Sequence, residues 1–247
     1  MDASADEIVE NALMGGRVRL LQPAKGYRAG MDAALLAAAA GAGSGDRVLE
    51  AGCGAGGVLM QIAGRAPGVS LTGLERDPAM AELARRNASL NVADAEILTG
   101  DVAKGFRALG LKPFDIAVSN PPFFDDPGAL RAPGPGKTEA WMADDGLEAW
   151  IGFLLKAVRE GGSIVMIHRA DRLADILALL APKAGSFAIR PIHAFADEPA
   201  KRVLVRAIKT GKAPLRLLPA LRLHDRGGAK HTAEAEAILR GEAGLGW

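Results

Sequence analysis

The run that most limits what this chain can fold into is Arg47-Val48-Leu49-Glu50, an apolar-centred segment that leads into Gly52-Cys53-Gly54-Ala55-Gly56-Gly57. Val58, Leu59, Ile62 and Ala63 then recur at the spacing of one helix face. A strand that turns through clustered glycines into a helix presses its backbone against whatever lies above the strand end, because no Cβ stands in the way. The spacing, G-x-G-x-G, is shorter than the dinucleotide fingerprint. A second strand, Val69 to Leu74, ends in Glu75, nineteen positions after Gly56. That is near the ~20-residue offset at which an acid accepts the two hydroxyls of a ribose. Asp77-Pro78 starts another helix, with Met80, Leu83, Ala84 and Ala88 at helical spacing.

The alternation continues. A third strand, Ala95 to Leu98, leads into Gly100-Asp101-Val102. Asp101 can accept from an adenine amino group while Val102 packs on the ring, and it can equally cap a helix reaching toward Leu109. Phe114, Ile116 and Val118 alternate as a fourth strand ending at Ser119. Ile151, Leu154, Leu155 and Val158 mark a helix closed by Gly161-Gly162. Ile164 to Ile167 is an unbroken buried strand, and Leu173, Ile176, Leu177 and Leu180 mark a helix. The last strands, about Phe187 to His193 and Arg202 to Ile208, have no helical pattern between them and are expected to be antiparallel. The predicted fold is α/β: a Rossmann-like, seven-stranded, mostly parallel sheet with a terminal antiparallel strand. Ligands of such sheets lie outside the carboxyl ends of the strands. Gly52, Gly54 and Gly56, then Glu75, Asp101 and Asn120 all fall there, with Glu50 just before the first turn.

The fourth strand delivers Asn120-Pro121-Pro122-Phe123-Phe124. Pro121 holds Asn120 extended, so a polar amide is presented from a stiff turn. Two readings are open on these residues alone: a grip on a planar amino group, or a proline-broken loop with buried phenylalanines. The Pro/Gly-rich connection from Asp125 to Gly136 is long enough to close over a substrate.

At 247 residues one substantial core is expected. Residues 1–45 would form an N-terminal extension covering a cofactor, 46–210 the main domain, and 211–247 a tail packed on it. The single Cys53 rules out an internal disulfide, and four scattered His leave metal binding unsupported. No apolar run is long enough for a bilayer and no secretory start is visible, so a soluble cytoplasmic protein is expected. Net charge is +1, yet Lys201 to Lys230 holds nine Lys or Arg against one acid, Asp225. A polyanion face and a solvated edge are the two readings of that run. His168 and His193, at strand ends, are expected to be structural.

The glycine turn after Glu50, the acid Glu75 and the terminal hairpin resemble the class I S-adenosylmethionine-dependent methyltransferases. Asn120-Pro121-Pro122-Phe123 resembles the N-P-P-[FY] motif with which that class methylates planar nitrogens. The flanking Gly26-Tyr27-Arg28-Ala29-Gly30-Met31-Asp32-Ala33-Ala34-Leu35-Leu36, together with Leu223-His224 and Thr232 to Leu239, is similar to the bacterial tRNA(Val) adenine-N6 methyltransferase family. Members often carry tyrosine at the Phe123 position and threonine at Met31. The resemblance implies S-adenosyl-L-methionine held by Gly30, Asp32, Glu50, the glycine turn, Glu75, Asp101, Val102 and Asn120. It implies chemistry at Asn120, Pro121, Pro122 and Phe123. With tRNA as the implied partner, the basic run is read as touching its phosphates through Lys201, Arg202, Arg206, Lys209 and Arg226, with Phe124 beside Phe123 against the base. For Asp32 a helix-start capping role stands beside a contact to the ligand's ammonium. The motif reads a conjugated amino group, so adenine N6, rRNA guanine N2 and protein glutamine N5 are all open, as is a non-catalytic RNA-binding or chaperone role. Monomer and homodimer are both open.

Overall fold

Side-chain alternation along the central strands separates two apolar faces, and each face recruits its own helices. The computed structural model describes residues 7–25, 28–122, 145–227 and 229–247. Its main sheet runs in the order β5 (Ala95–Thr99), β4 (Ser70–Glu75), β3 (Arg47–Ala51), β6 (Phe114–Ser119), β7 (Val158–Arg169), β9 (Arg202–Lys209) and β8 (Ala184–His193). All neighbours pair parallel except β9, which is antiparallel to both β7 and β8. This is the expected seven-stranded arrangement. The tail adds two short parallel strands beside β8, β10 (Arg216–Leu217) and β11 (Leu221–Arg222), making nine.

Val48, Ile116, Val118 and Val165 point to one face, where they pack with α1 (Met31–Ala39), α2 (Gly57–Arg65) and α3 (Pro78–Leu90). Leu49, Ala117, Ile164 and Met166 point to the other, against α4 (Asp145–Ala157) and α5 (Leu173–Leu180). The period of two in a strand makes this division. The last helix, α6 (Ala233–Leu239), is capped by Thr232, whose Oγ1 accepts from Ala235 N at 3.1 Å. It packs on α1, and Trp247 donates to Ala39 O at 2.7 Å.

One element was not expected and two local expectations are corrected. Within the N-terminal extension, β1 (Ile8–Leu13) pairs antiparallel with β2 (Val18–Pro23) as a separate hairpin. Ile8, Val9, Ala12 and Leu13 are apolar but no residue of β1 is buried and the apolar positions do not alternate, so no strand period marks it, and the backbone ladder with β2 supports it. Val158 belongs to β7, not to the preceding helix. Gly161 (φ 74°) and Gly162 make an irregularity at the start of β7, where a Cβ on Gly162 would meet Asp115 O at 2.8 Å. Glycine in a strand commonly marks such a close backbone approach. The segment from Asp101 toward Leu109 is two 3-10 turns, Val102–Lys104 and Phe106–Leu109, split by Gly105 at φ 76°.

Candidate functional site

β3 is flanked by β4 on one side and β6 on the other, so the crevice above its carboxyl end is the switch point of the sheet. The chain leaves β3 through Gly52 (φ 71°), Gly54 (φ 54°) and Gly56 (φ 82°) before α2 begins. These left-handed angles favour glycine. They let Gly52 N and Cys53 N both donate to Leu74 O, at 2.8 and 3.0 Å. The turn is thereby tied to the end of β4.

Glu75 completes that tie. Its Oε2 accepts from Gly54 N at 2.8 Å and its Oε1 from Asp77 N at 2.9 Å. Each carboxylate oxygen has a second acceptor site, and the carboxylate lines a cavity of about 300 Å³. Gly52, Gly54, Leu74, Asp101, Val102 and Pro122 line the same cavity. Asp101 accepts from Ala103 N at 2.9 Å as the cap of the 3-10 turn and lies 3.8 Å from Arg76. It therefore caps and faces the cavity at once. Two carboxylates and an apolar floor suit a nucleoside: hydroxyls on Glu75, a ring amino group on Asp101, and the ring on Val102 and Leu74. These acceptors and the apolar floor fit the cofactor named by resemblance.

A smaller cavity adjoins the other side of the glycine turn, lined by Gln22, Ala29, Ala33, Glu50, Gly52 and Asn120 among others. Glu50 is 3 % exposed. Gln22, on β2, accepts from Ala29 N at 3.0 Å and donates to Asn11 Oδ1 at 2.8 Å, holding the 28–30 segment over this end. Asn120 and Pro122 thus face the two cavities on either side of Gly52, while Pro121 is buried. Phe123, Phe124, the 125–136 connection, and Gly26 and Tyr27 of the flanking motif lie outside the described residues.

Gly30 precedes α1 as its N-cap residue, and no side chain caps that helix. Asp32 lies in the first turn, but its carboxylate accepts from Arg202 Nε at 3.0 Å. Other residues of the basic segment are likewise paired with acids from outside its own sequence window, while Arg222 meets Asp225 within it at 3.5 Å. Arg226 meets Asp197 at 3.2 Å and Glu198 at 3.1 Å, and Lys201 lies 3.8 Å from Glu198. Lys201, Arg202 and Arg226 sit along the carboxyl edge of β7, β8 and β11, the edge that carries Asn120. Arg206 lies mid-strand against Ser163, and Lys209 lies at the opposite edge, donating to Val158 O at 2.9 Å and meeting Glu160 at 3.3 Å. The fold does not bring Lys209 to the site.

His168 is 3 % exposed at the end of β7. Burial, and then the Arg172 guanidinium, push its imidazole down to about 4, so it is neutral near pH 7. His193 Nδ1 contacts Glu198 O at 2.7 Å.

Sequence reasoning did not single out Trp150 or Arg76, and it placed Met80 on a core face; all three line the larger cavity. Trp150 donates from Nε1 to Ser119 Oγ at 2.7 Å. A tryptophan next to Ile151 in the helix after a Pro/Gly-rich connection was the available signal. Among the described residues there is no group of His, Cys, Asp or Glu that could hold a metal, and no helix long and apolar enough to cross a membrane.

A family model described as the methyltransferase small domain matches residues 30–131. A tRNA1(Val) (adenine(37)-N6)-methyltransferase of Porphyromonas gingivalis is 35% identical over 158 residues, covering 60% of this chain and 61% of that protein. The release factor glutamine methyltransferase of Escherichia coli is 31% identical over 145 residues, covering 53% of this chain and 51% of that protein. The chain therefore spans about half to three-fifths of the length of these curated relatives. Among solved structures, a predicted O-methyltransferase from Agrobacterium tumefaciens is 30% identical with a TM-score of 0.72, covering 87% of this chain and 98% of that one. The strand order, the glycine turn bound to Glu75 and this near full-length match together show that the chain belongs to the class I S-adenosylmethionine-dependent methyltransferases.

Proposed function

We propose that this protein transfers a methyl group to the exocyclic N6 of an adenine in tRNA. The observation that carries the proposal is the position of Asn120-Pro121-Pro122, leaving β6 between the two cavities at the switch point. The P. gingivalis relative named above is an adenine-N6 methyltransferase of tRNA1(Val), which supports the choice of acceptor.

Bound S-adenosylmethionine supplies an electrophilic methyl on a sulfonium. The protein's part is to prepare the nucleophile. An adenine amino nitrogen is a poor nucleophile because its lone pair is delocalised into the ring. The Asn120 side-chain oxygen and the Pro121 carbonyl accept its two N–H groups, so the nitrogen pyramidalises and the lone pair turns toward the methyl. Fixed dipoles and in-line alignment then lower the barrier. No strong base is needed, because the nitrogen becomes acidic as the bond forms and its surplus proton passes to solvent. Phe123 is assigned to stacking on the unstacked base, as enzymes acting on bases require. A hydroxyl acceptor has one proton to offer where this pair of oxygens asks for two, which favours nitrogen over oxygen.

Lys201, Arg202 and Arg226 on the same edge are assigned to phosphate contacts of a folded RNA, read by shape and by its unpaired bases. The second reading is methylation of a glutamine amide nitrogen in a protein, favoured by the match to the release factor enzyme. A carboxamide also offers two N–H groups on a conjugated nitrogen. Purified protein with methyl-labelled cofactor and separated tRNA, rRNA and protein fractions decides. Label in tRNA, recovered as N6-methyladenosine, is expected. Label confined to the protein or rRNA fraction overturns the tRNA reading, and no label in any fraction leaves a non-catalytic role.

A further inference from the structure

Trp150 sits where three parts of the site meet. Its Nε1 donates to Ser119 Oγ at 2.7 Å, and Ser119 Oγ donates to Ala51 O at 2.9 Å. Ser119 is the residue before Asn120, is 0 % exposed, and pairs across the ladder with Ala51, the last residue of β3. The indole therefore clamps the end of β6 to the end of β3, one residue from the proposed acceptor grip on one strand and from the glycine turn on the other. Its other edge meets the turn directly. A Cβ built on Gly52 would come within 2.9 Å of Trp150 Cζ2 and 3.2 Å of Cη2. The indole thus occupies the space that a side chain at Gly52 would fill, and it lines the cavity with Pro122, Asp101 and Val102.

We infer that Trp150 is a positioning residue: its indole sets the distance between the cofactor's nucleoside site and the Asn120-Pro121 turn through the Ser119 hydroxyl. This rests on the proposed function for the role of Asn120, but the linkage is a property of the pocket whichever nitrogen is methylated. The physical reason is the size of the tolerance. A near-attack geometry misplaced by ~1 Å loses on the order of a hundredfold in rate. Ser119 is buried, gives its one hydroxyl hydrogen to Ala51 O and accepts the Trp150 N–H on the same oxygen, so removing the N–H leaves a buried acceptor without its donor and unties the indole from the β6–β3 junction. Phenylalanine at 150 removes the N–H and also the outer ring edge that meets Gly52, whereas Ser119→Ala keeps the whole indole against Gly52 and removes only the hydroxyl that links it to Ala51. A cavity wall alone needs the ring, whereas a clamp needs the N–H as well.

The test compares the native protein with Trp150→Phe and Ser119→Ala. Affinity for S-adenosylhomocysteine, by calorimetry, is expected to stay within about threefold in Trp150→Phe. The kcat on whichever fraction accepts methyl is expected to fall about ten- to a hundredfold with the acceptor KM unchanged. The double variant is expected to be no slower than the worse single variant, since both break one linkage. A parallel loss of cofactor affinity and kcat, or unchanged kcat, overturns the inference. Hydrogen exchange supplies a readout that needs no acceptor. Amides of 115–120 are expected to exchange faster in Trp150→Phe while those of the glycine turn, bound to Leu74 O and Glu75, keep their protection. Unchanged protection at 115–120 overturns the inference even if no fraction accepts methyl and the proposed function itself fails.

Discussion

Arg202 Nε donates to Asp32 Oδ2 at 3.0 Å, joining the first residue of β9 to the first turn of α1. The two residues are 170 positions apart, and the sequence pointed each toward a different ligand. The structure makes them partners. Both side chains are about a third exposed, so a phosphate can compete with the carboxylate for the guanidinium.

Arg202→Ala is therefore expected to change stability little, because ion pairs open to solvent contribute about 0–1 kcal/mol. Under the proposed function it weakens tRNA binding and lowers the slope of log affinity against log salt by about one. Asp32→Asn removes the competing carboxylate and is expected to leave RNA binding unchanged or tighter. Filter binding at several salt concentrations checks both. Equal weakening by the two variants means the pair acts as structure alone.

Asn120→Ala is expected to abolish methyl transfer while cofactor affinity stays within about threefold, since the side chain's assigned task is the acceptor amino group. Single-turnover assays alongside calorimetry check this. Transfer that survives the change removes the mechanism.

Glu75→Ala takes the acceptor from Gly54 N and from Asp77 N together. The change also removes the carboxylate assigned to the ribose hydroxyls, and one hydrogen bond to a charged group contributes about 1.5–3 kcal/mol, so cofactor affinity is expected to fall about ten- to a hundredfold. A lower Tm accompanies it, because the glycine turn loses its anchor to the end of β4. Calorimetric titration and a thermal melt are the measurements.

Val92 follows α3 at φ 50° with its side chain 93 % exposed, and Ala93 N donates back to Ala88 O at 3.0 Å. That helix ending favours glycine, and a β-branched residue is strained in it. Val92→Gly is expected to stabilise the protein by about 1 kcal/mol, raising Tm by about 2–4 °C, with activity unchanged. A lower Tm would mean that the unfolded-chain entropy of glycine outweighs the relieved strain.

His168 carries a pH dependence. Its imidazole is held down to about 4 in the folded protein against an ordinary 6.5, chiefly by burial. The unfolded chain thus binds a proton that the folded one refuses, so stability is full above about pH 6.5 and is lost as pH falls toward 4. His168→Gln is expected to flatten the urea midpoint between those values. An equally steep profile in the variant assigns the acid loss to other groups.

The alternation of strands and helices was legible because burial on both faces of a parallel sheet leaves continuous apolar runs, as in Ile164 to Ile167, and helix faces repeat at their own period. The glycine turn, Glu75, Asp101 and Asn120 were legible for a related reason: each follows directly on the end of a strand, and a parallel sheet sends all those ends to one edge. β1 was not legible, since no residue of it is buried and its pairing with β2 runs through backbone. Nor was the charge balance, because Asp32, Asp197 and Glu198 lie outside the basic run and reach it only across the fold. Trp150 is the clearest division. Its helix could be read from the apolar spacing around it, but the bond to Ser119 and the contact with Gly52 join residues 31 and 98 positions away, and only the packed chain brings such distant groups into register.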